Sequence, residues 1–169
     1  MALFGGRRDI GLFISMNREL LENIIEQEVD YYKPNLEHTQ DGGGIDNLYG
    51  EASVQKSYNP PLRVYCLMSK QDPLSVGDEQ MGTDRSQQVT FKFLNDILVE
   101  IGLVPQIGDI VETRGNFYEV DAVIQNQFIL GKDNNYAKSA GPGFGESFST
   151  LCQAHWTRPS RLQIYNTTV

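Results

Sequence analysis

The chain has 169 residues, of which 40% are hydrophobic and 21% are charged, and these values are typical of one globular domain rather than a disordered segment. Lys and Arg number 14 against 22 Asp and Glu, which gives a net charge of −8. This charge would repel a polyphosphate, so the composition excludes a general nucleic-acid-binding protein. A protein lining a channel through which DNA slides is the exception, because strong phosphate contacts would stall the DNA there.

The N-terminal segment, residues 1–16, carries Arg7 and Arg8 ahead of a short apolar run. Asp9 stands within this stretch, the run is too short for an export signal, and no small-residue cleavage site follows it. No part of the chain approaches the roughly 20 apolar residues that span a bilayer. We therefore predict a protein without a membrane partner, made in a reducing cytoplasm, in which Cys66 and Cys152 are buried thiols rather than a disulfide.

A helix is predicted over residues 17–33, which carry the only long helical pattern in the chain. Pro34 ends it, because proline disfavours a helical residue directly before it. The apolar face needs one partner, which is either the rest of the chain or a neighbouring subunit. The face is formed by Leu20, Leu21, Ile24, Ile25, Val29 and Tyr32.

Residues 34–61 are polar and rich in turn-forming residues, and they predict an extended arm. Such a long segment without regular structure is usually functional or disordered in a compact domain. Tyr49 and Tyr58 are spaced as anchors would be on a segment that lies across another surface. We interpret these two tyrosines as candidate contacts of an inter-subunit arm.

Residues 62–169 predict a small antiparallel β-barrel, so the expected fold is mainly β (α+β), with an N-terminal amphipathic helix and a short second helix. Residues 62–68 form a near-continuous apolar strand, typical of a strand covered on both faces. The strand over residues 88–94 alternates Val89, Phe91 and Phe93 toward the interior. Asn95 or Asp96 can cap the short helix, which ends at Gly102.

A hairpin is predicted in the second half of the barrel domain, with strands over residues 109–113 and 117–124 around a turn at Arg114, Gly115 and Asn116. Further strands are expected over residues 127–130 and 148–156, with a strand or tail over residues 162–165. Two long polar loops, residues 69–87 and 132–147, interrupt the barrel.

Catalytic and cofactor sites are not predicted. Cys152 and His155 could suggest a nucleophile and its base, but at this spacing in a strand the two side chains point to opposite faces. The two histidines and two cysteines show no zinc-type spacing, and residues 41–46 lack the ligand pattern of an EF-hand. We therefore expect a protein that is not an enzyme and that needs neither a metal nor a cofactor.

Short segments in a fixed order resemble the neck protein of T4-like contractile phages. These are residues 31–34 (YYKP), 49–51 (YGE), 89–91 (VTF), 105–109 (PQIGD), 117–120 (FYEV) and 128–131 (FILG). Each motif is short, and the specificity lies in their order, which covers most of the chain. The chain is shorter at its C-terminus than the long T4 version, which removes the basis for predicting contacts with collar fibres.

The resemblance implies a structural virion protein of the head–tail junction, made in the cytoplasm of a bacterial host. Such a protein forms a ring, expected to be hexameric, that closes the filled head. Its partners would be the portal- or adaptor-side neck protein, the tail terminator and the packaged DNA that passes through the channel. The alternative is a tail terminator or tail-completion protein, which is also a small barrel ring.

Within this expectation the two long loops are candidates for gating the channel or contacting neighbouring subunits. One of them would obstruct the channel until the tail attaches, with the barrel as its rigid mount. The candidate residues of the loops are Asp78, Gln80, Arg85, Lys132, Asn134, Asn135, Lys138 and Phe144.

Overall fold

The structure, a computed structural model, is mainly β, with a seven-stranded antiparallel sheet, two short hairpins and two helical segments in its described part. The residues it describes are 7–35, 45–46, 51–52, 58–72, 74–78, 82–125, 127–128, 147–158, 162 and 164. This confirms the mainly β, antiparallel fold that the sequence predicts.

The first helix lies N-terminal to its predicted position. Helix α1 spans Arg7–Glu19 and continues with π-helical geometry over Leu20–Ile25. Glu26 then adopts a left-handed conformation, with φ of 50°, and its backbone N–H donates to the carbonyl of Leu21. The prediction of one helix over residues 17–33, preceded by an N-terminal segment 1–16, is therefore wrong at both ends.

The C-terminal part of the predicted helix is instead strand β1, Glu28–Tyr32. It pairs with strands on both sides, so its backbone groups find partners outside the segment. Val29 and Tyr31 are buried in the main core, a period of two that the helical pattern obscured.

The predicted continuous strand over residues 62–68 is instead divided at Cys66 into two edge strands, with Leu62 and Leu67 exposed rather than covered. The short second helix and the strands from residue 88 onward follow the sequence pattern more closely. Helix α2 spans Asn95–Glu100, and Gly102 follows it with φ of 67°, as expected for the punctuation of a helix end. The strands are β2 (Ile45–Asp46), β3 (Glu51–Ala52), β4 (Leu62–Tyr65), β5 (Leu67–Lys70), β6 (Leu74–Asp78), β7 (Gly82–Ser86), β8 (Gln88–Leu94), β9 (Ile110–Thr113), β10 (Asn116–Ile124) and β11 (Ser149–Thr157).

Two of the short strand pairs occupy segments predicted to lack regular structure. Strands β6 and β7 pair from Leu74↔Ser86 to Asp78↔Gly82, so the predicted loop 69–87 contains a β-hairpin. Strands β2 and β3 pair within the predicted arm 34–61. The turn-rich composition of these segments does not reveal the short strands within them.

The large sheet has the order β4-β1-β9-β10-β11-β8-β5, and every neighbouring pair is antiparallel. Its two edge strands, β4 and β5, are separated in sequence by Cys66 alone, so the two edges come together at that residue. The Cys66 N–H donates to the carbonyl of Gln27, just ahead of β1, at 3.0 Å. Among the described residues no ladder pairs β4 with β5, so the strand pairing does not establish the predicted small antiparallel β-barrel.

One face of the sheet encloses the main core. Tyr31 packs edge-on to Phe93, and Phe91 packs edge-on to Tyr118, with ring centroids 5.9 and 5.7 Å apart. Val89, Phe91 and Phe93 are all buried, which confirms the predicted alternation of β8. Cys66 and Cys152 are free and fully buried in the same core, as predicted.

Candidate functional site

Helix α1 presents an exposed apolar stripe, which we call the α1 stripe. Leu12, Met16, Leu20 and Ile24 follow one another at intervals of four residues, and their relative exposures are 60%, 60%, 39% and 72%. Residues four apart lie on one face of a helix, so the four side chains form a continuous row. An exposed apolar row of this kind is typical of a surface for interaction.

A different face of the same helix packs on the body of the protein. The ring of Phe13 lies 4.9 Å from that of Phe148, the residue directly before β11, measured between centroids. Leu21 is buried in the main core with Ile97 and Leu98 of α2. The rest of the chain therefore packs on the face of α1 that carries Phe13 and Leu21. The α1 stripe lies on another face and stays exposed.

Arg18 joins α1 to α2. Its guanidinium donates to Glu22 at 2.9 Å, to Glu100 at 2.5 Å and to Asp96 at 3.4 Å. The hydrogen bonds to Glu100 and Glu22 raise the pKa of Arg18. Arg18 stands two residues from both Met16 and Leu20, about 200° around a helix with 3.6 residues per turn. Helix α2 therefore lies on the side of α1 away from the stripe.

A second group of exposed apolar residues follows on from α2. Val99, Val104 and Ile107 have relative exposures of 80%, 62% and 70%. Between them Leu103 is buried, and its N–H donates to the carbonyl of Leu98 at 2.9 Å. This segment is thus tied to α2 while its apolar side chains face solvent, and it forms a second exposed apolar surface in addition to the α1 stripe.

A buried polar pair lies in the core near this segment. The Tyr31 hydroxyl donates to Asp109 Oδ2 at 2.6 Å, and the N–H of Gln106 donates to the same oxygen at 2.8 Å. Burial raises the pKa of Asp109, and the hydrogen bonds from Tyr31 and Gln106 act in the opposite direction. The pair connects β1 to the turn ahead of β9, and we interpret it as structural.

The outer face of the sheet carries a second apolar cluster, which we call the outer groove. Tyr32, Ile110 and Phe117 alternate with inward residues of β1, β9 and β10 and would otherwise face solvent. They are covered by Tyr58 and by Leu162 and Ile164. The Tyr32 hydroxyl also donates to Glu112 Oε2 at 2.8 Å.

Tyr58, predicted to belong to an inter-subunit arm, packs on the outer groove of its own chain. The neighbouring backbone holds it there: Asn59 N–H donates to the carbonyl of Lys33 at 2.9 Å, and Tyr58 pairs with Pro34 in a β-bridge. Burial, with a further contribution from Glu119, raises the pKa of Tyr58 to about 12. Its predicted contact with a neighbouring subunit stays a prediction.

The other predicted loop residues are described only in part. Asp78 ends β6 opposite Gly82, and Arg85 lies in β7 opposite Ser75, so both belong to one hairpin. The structure describes the backbone of these two residues. The remaining candidates lie outside the described residues: Tyr49, Gln80, Lys132, Asn134, Asn135, Lys138 and Phe144.

Cys152 and His155 lie on opposite faces of β11. Cys152 is fully buried, and burial raises its pKa to about 12. The ring of His155 is partly exposed and its Nδ1 lies 2.8 Å from Asp121 Oδ1. The two side chains therefore do not form a nucleophile–base pair. Among the described residues there is also no group of three or more His, Cys, Asp and Glu placed to hold a metal ion.

The α1 stripe is the surface that the sequence analysis missed. The sequence does contain the four-residue spacing of Leu12, Met16, Leu20 and Ile24, but a helix that begins at residue 17 excludes Leu12 and Met16.

No helix in the described part of the chain is long and apolar enough to cross a membrane. No protein-family model matches the chain, and no curated protein matches its sequence.

Proposed function

We propose that this protein is a structural component of the neck of a contractile-tailed phage. In this role it forms a head-closure ring between the portal or adaptor and the tail, seals the packaged DNA and docks the tail. The proposal starts from the ordered segments that resemble T4-like neck proteins. The structural observation that carries it is the α1 stripe, because an exposed row of four large apolar side chains needs a partner.

The presence of two separate apolar surfaces is compatible with assembly into a ring. A ring forms when one surface of a subunit binds a different surface of the next, and the rotation closes. The α1 stripe and the Val99–Val104–Ile107 group are two separate sets of exposed apolar side chains. In the proposed ring, the stripe of one copy packs on the Val99–Val104–Ile107 group of its neighbour.

The β core serves as the rigid mount in this proposal. In the proposed ring the sheet, whose edge strands β4 and β5 meet at Cys66, acts as a small barrel. The net charge of −8 suits a wall past which DNA slides without being held. The acidic side chains of Asp96 and Glu100, both about half exposed, contribute to such a wall if α2 faces the lumen.

The two segments predicted as long loops, 69–87 and 132–147, remain the proposed gating elements. Deleting residues 132–145 should leave ring assembly intact but let packaged DNA leak from filled heads. Heads that stay sealed after this deletion would remove the second loop from the gating role.

Electron microscopy of virions labelled at the C-terminus of this protein tests the proposal directly. A ring of label at the head–tail junction is the expected result. Label along the tail tube or baseplate, or its absence from virions, would overturn the neck assignment. A phage lacking the protein separates the rival tail-terminator role: full heads that cannot join, alongside finished tails, are expected for a neck protein.

A further inference from the structure

The α1 stripe has two halves that are attached to the protein differently. Leu12 and Met16 lie in α1. Leu20 and Ile24 lie in the π-helical turn Leu20–Ile25, which we call the π turn. At the junction the backbone hydrogen bonds change from residues four apart to residues five apart. The two halves therefore form one row only while α1 and the π turn keep their alignment.

The π turn is anchored to the body of the protein. Leu21 is buried in the main core with Ile97 and Leu98 of α2. At the end of the turn, the N–H of Glu26 donates to the carbonyl of Leu21 at 3.0 Å, and β1 begins two residues later. Displacing this turn would expose a core side chain, so it is the fixed half of the row.

Helix α1 is attached more lightly than the π turn. Among the described elements, it does not pack closely along α2 or along any strand of the sheet. Phe13 contacts the ring of Phe148 but is itself 45% exposed, and no side chain described in α1 is fully buried. A helix of 13 residues with so little buried surface is marginal on its own. Its position therefore depends on a small number of side-chain contacts.

Arg18 spans the junction and reaches α2 at the same time. Its guanidinium donates to Glu22 of the π turn, and to Glu100 and Asp96 of α2. The fork of an arginine donates in several directions from one rigid plane, which a lysine does not reproduce. Arg18 is 35% exposed and the two α2 carboxyl groups are about half exposed, so water and salt weaken each ion pair. The attachment is therefore directional and reversible.

We propose that Arg18 is a latch that holds α1 in line with the π turn, so that the α1 stripe is one docking surface only while the latch is closed. Opening the latch leaves Leu20 and Ile24 in place and lets Leu12 and Met16 move with α1. A partner that binds all four side chains must then restore their alignment, which lowers its affinity. That this partner is a neighbouring subunit of the ring rests on the proposed function. The latch itself rests on contacts within one chain.

Hydrogen exchange of the purified full chain, measured by mass spectrometry, tests the latch. Arg18→Met removes the guanidinium and keeps an unbranched stem. We expect the amides of residues 12–19 to exchange roughly tenfold faster, with those of β8 unchanged. Arg63→Met is the matched control, because Arg63 is another exposed arginine, which pairs with Asp30 at 3.1 Å, and its loss should not affect α1. Unchanged exchange in α1, or faster exchange throughout the chain, would overturn the latch.

Two further measurements keep the test decisive if Arg18→Met does not fold. Arg18→Lys keeps the charge but loses the fork, so we expect faster exchange in α1 than in the unsubstituted chain. In the unsubstituted chain, raising NaCl to about 1 M shortens the Debye length to about 3 Å and should speed exchange in α1 but not in β8. Exchange in α1 that responds neither to salt nor to Arg18→Lys would count against the latch.

Light scattering over a series of protein concentrations tests the consequence for docking. Arg18→Met should need roughly tenfold more protein for half-assembly than the unsubstituted chain or Arg63→Met. Equal assembly by an Arg18→Met chain whose α1 exchanges faster would show that docking does not require the aligned row. An unsubstituted chain that stays monomeric would instead contradict the proposed ring, and the exchange measurement would still decide the latch.

Discussion

The hydroxyl of Tyr31 and the carboxyl of Asp109 form a hydrogen bond of 2.6 Å at the centre of the β core, where both residues are fully buried. Asp109 Oδ1 has no hydrogen-bond partner among the described residues. A buried carboxyl in this position is costly to ionise, and its partners hold the turn before β9 against β1.

Replacing Tyr31 by Phe should destabilise the fold. The change removes the hydroxyl and leaves Asp109 with the Gln106 N–H as its remaining described donor, so we expect a loss of about 1 to 3 kcal/mol in the free energy of unfolding. Urea denaturation measures it. Tyr32→Phe is the matched control, because the Tyr32 hydroxyl bonds to a partly buried Glu112, and equal losses in the two variants would contradict the special position of Asp109.

The Asp109→Asn variant tests the ionisation of the buried carboxyl. Because burial raises the pKa of Asp109 in the folded state, its contribution to stability is fully present below its unfolded pKa of about 3.9 and is lost as the pH rises through the folded value. The free energy of unfolding of the unsubstituted chain should therefore fall relative to that of Asp109→Asn as the pH is raised from about 3.5.

Urea denaturation of both chains over a pH series gives this difference, since the other carboxyl groups are common to both and largely cancel. A difference that does not change with pH would show that the carboxyl has the same pKa in the folded and unfolded states. A difference that moves in the opposite direction would indicate a lowered pKa.

Two glycines should respond to alanine in opposite directions. Gly11 lies within α1 with open space around it, so Gly11→Ala should stabilise the fold by about 0.5 to 1 kcal/mol through helix propensity. Gly115 also has open space but a φ of +77°, so Gly115→Ala should destabilise it by about 1 kcal/mol through backbone strain alone. Thermal or urea unfolding of both variants checks the signs, and the same sign for both would refute the argument.

Charged residues in the α1 stripe should prevent assembly without unfolding the chain. Leu12→Asp with Ile24→Asp changes two exposed positions, so the melting temperature should stay within a few degrees, while the mass measured by light scattering falls to that of a monomer. Lys92→Asp, an exposed site on β8, is the control for added negative charge. Assembly that survives the double substitution would remove the stripe from the interface.

Both thiols should be inert in the folded protein. Burial raises the pKa of Cys66 and Cys152 to about 12, and neither residue is exposed. We expect no reaction with a thiol reagent at pH 8 until urea unfolds the chain, when both groups react together. Rapid labelling of one thiol in the folded state would show local opening of the core at that strand.

Much of the β core could be predicted from the sequence, because its strands carry local signals. The alternation of Val89, Phe91 and Phe93 determines which face of β8 is buried. The hairpin of β9 and β10 also has a local sequence signal. Arg114 and Gly115 form its two-residue turn with positive φ values of 51° and 77°, a conformation that favours glycine.

Only the tertiary structure decided where α1 ends, because the residues that follow have apolar spacings that suit either a helix or a strand. In the structure, the backbone groups of Glu28–Tyr32 form hydrogen bonds with β4 and β9 instead of the hydrogen bonds that a helix would form within the segment. These strands are far from β1 in sequence. The same holds for the meeting of the sheet edges at Cys66, the Tyr31–Asp109 bond and the occupied outer groove. Each depends on contacts between distant segments, and no local pattern encodes which distant segments will meet.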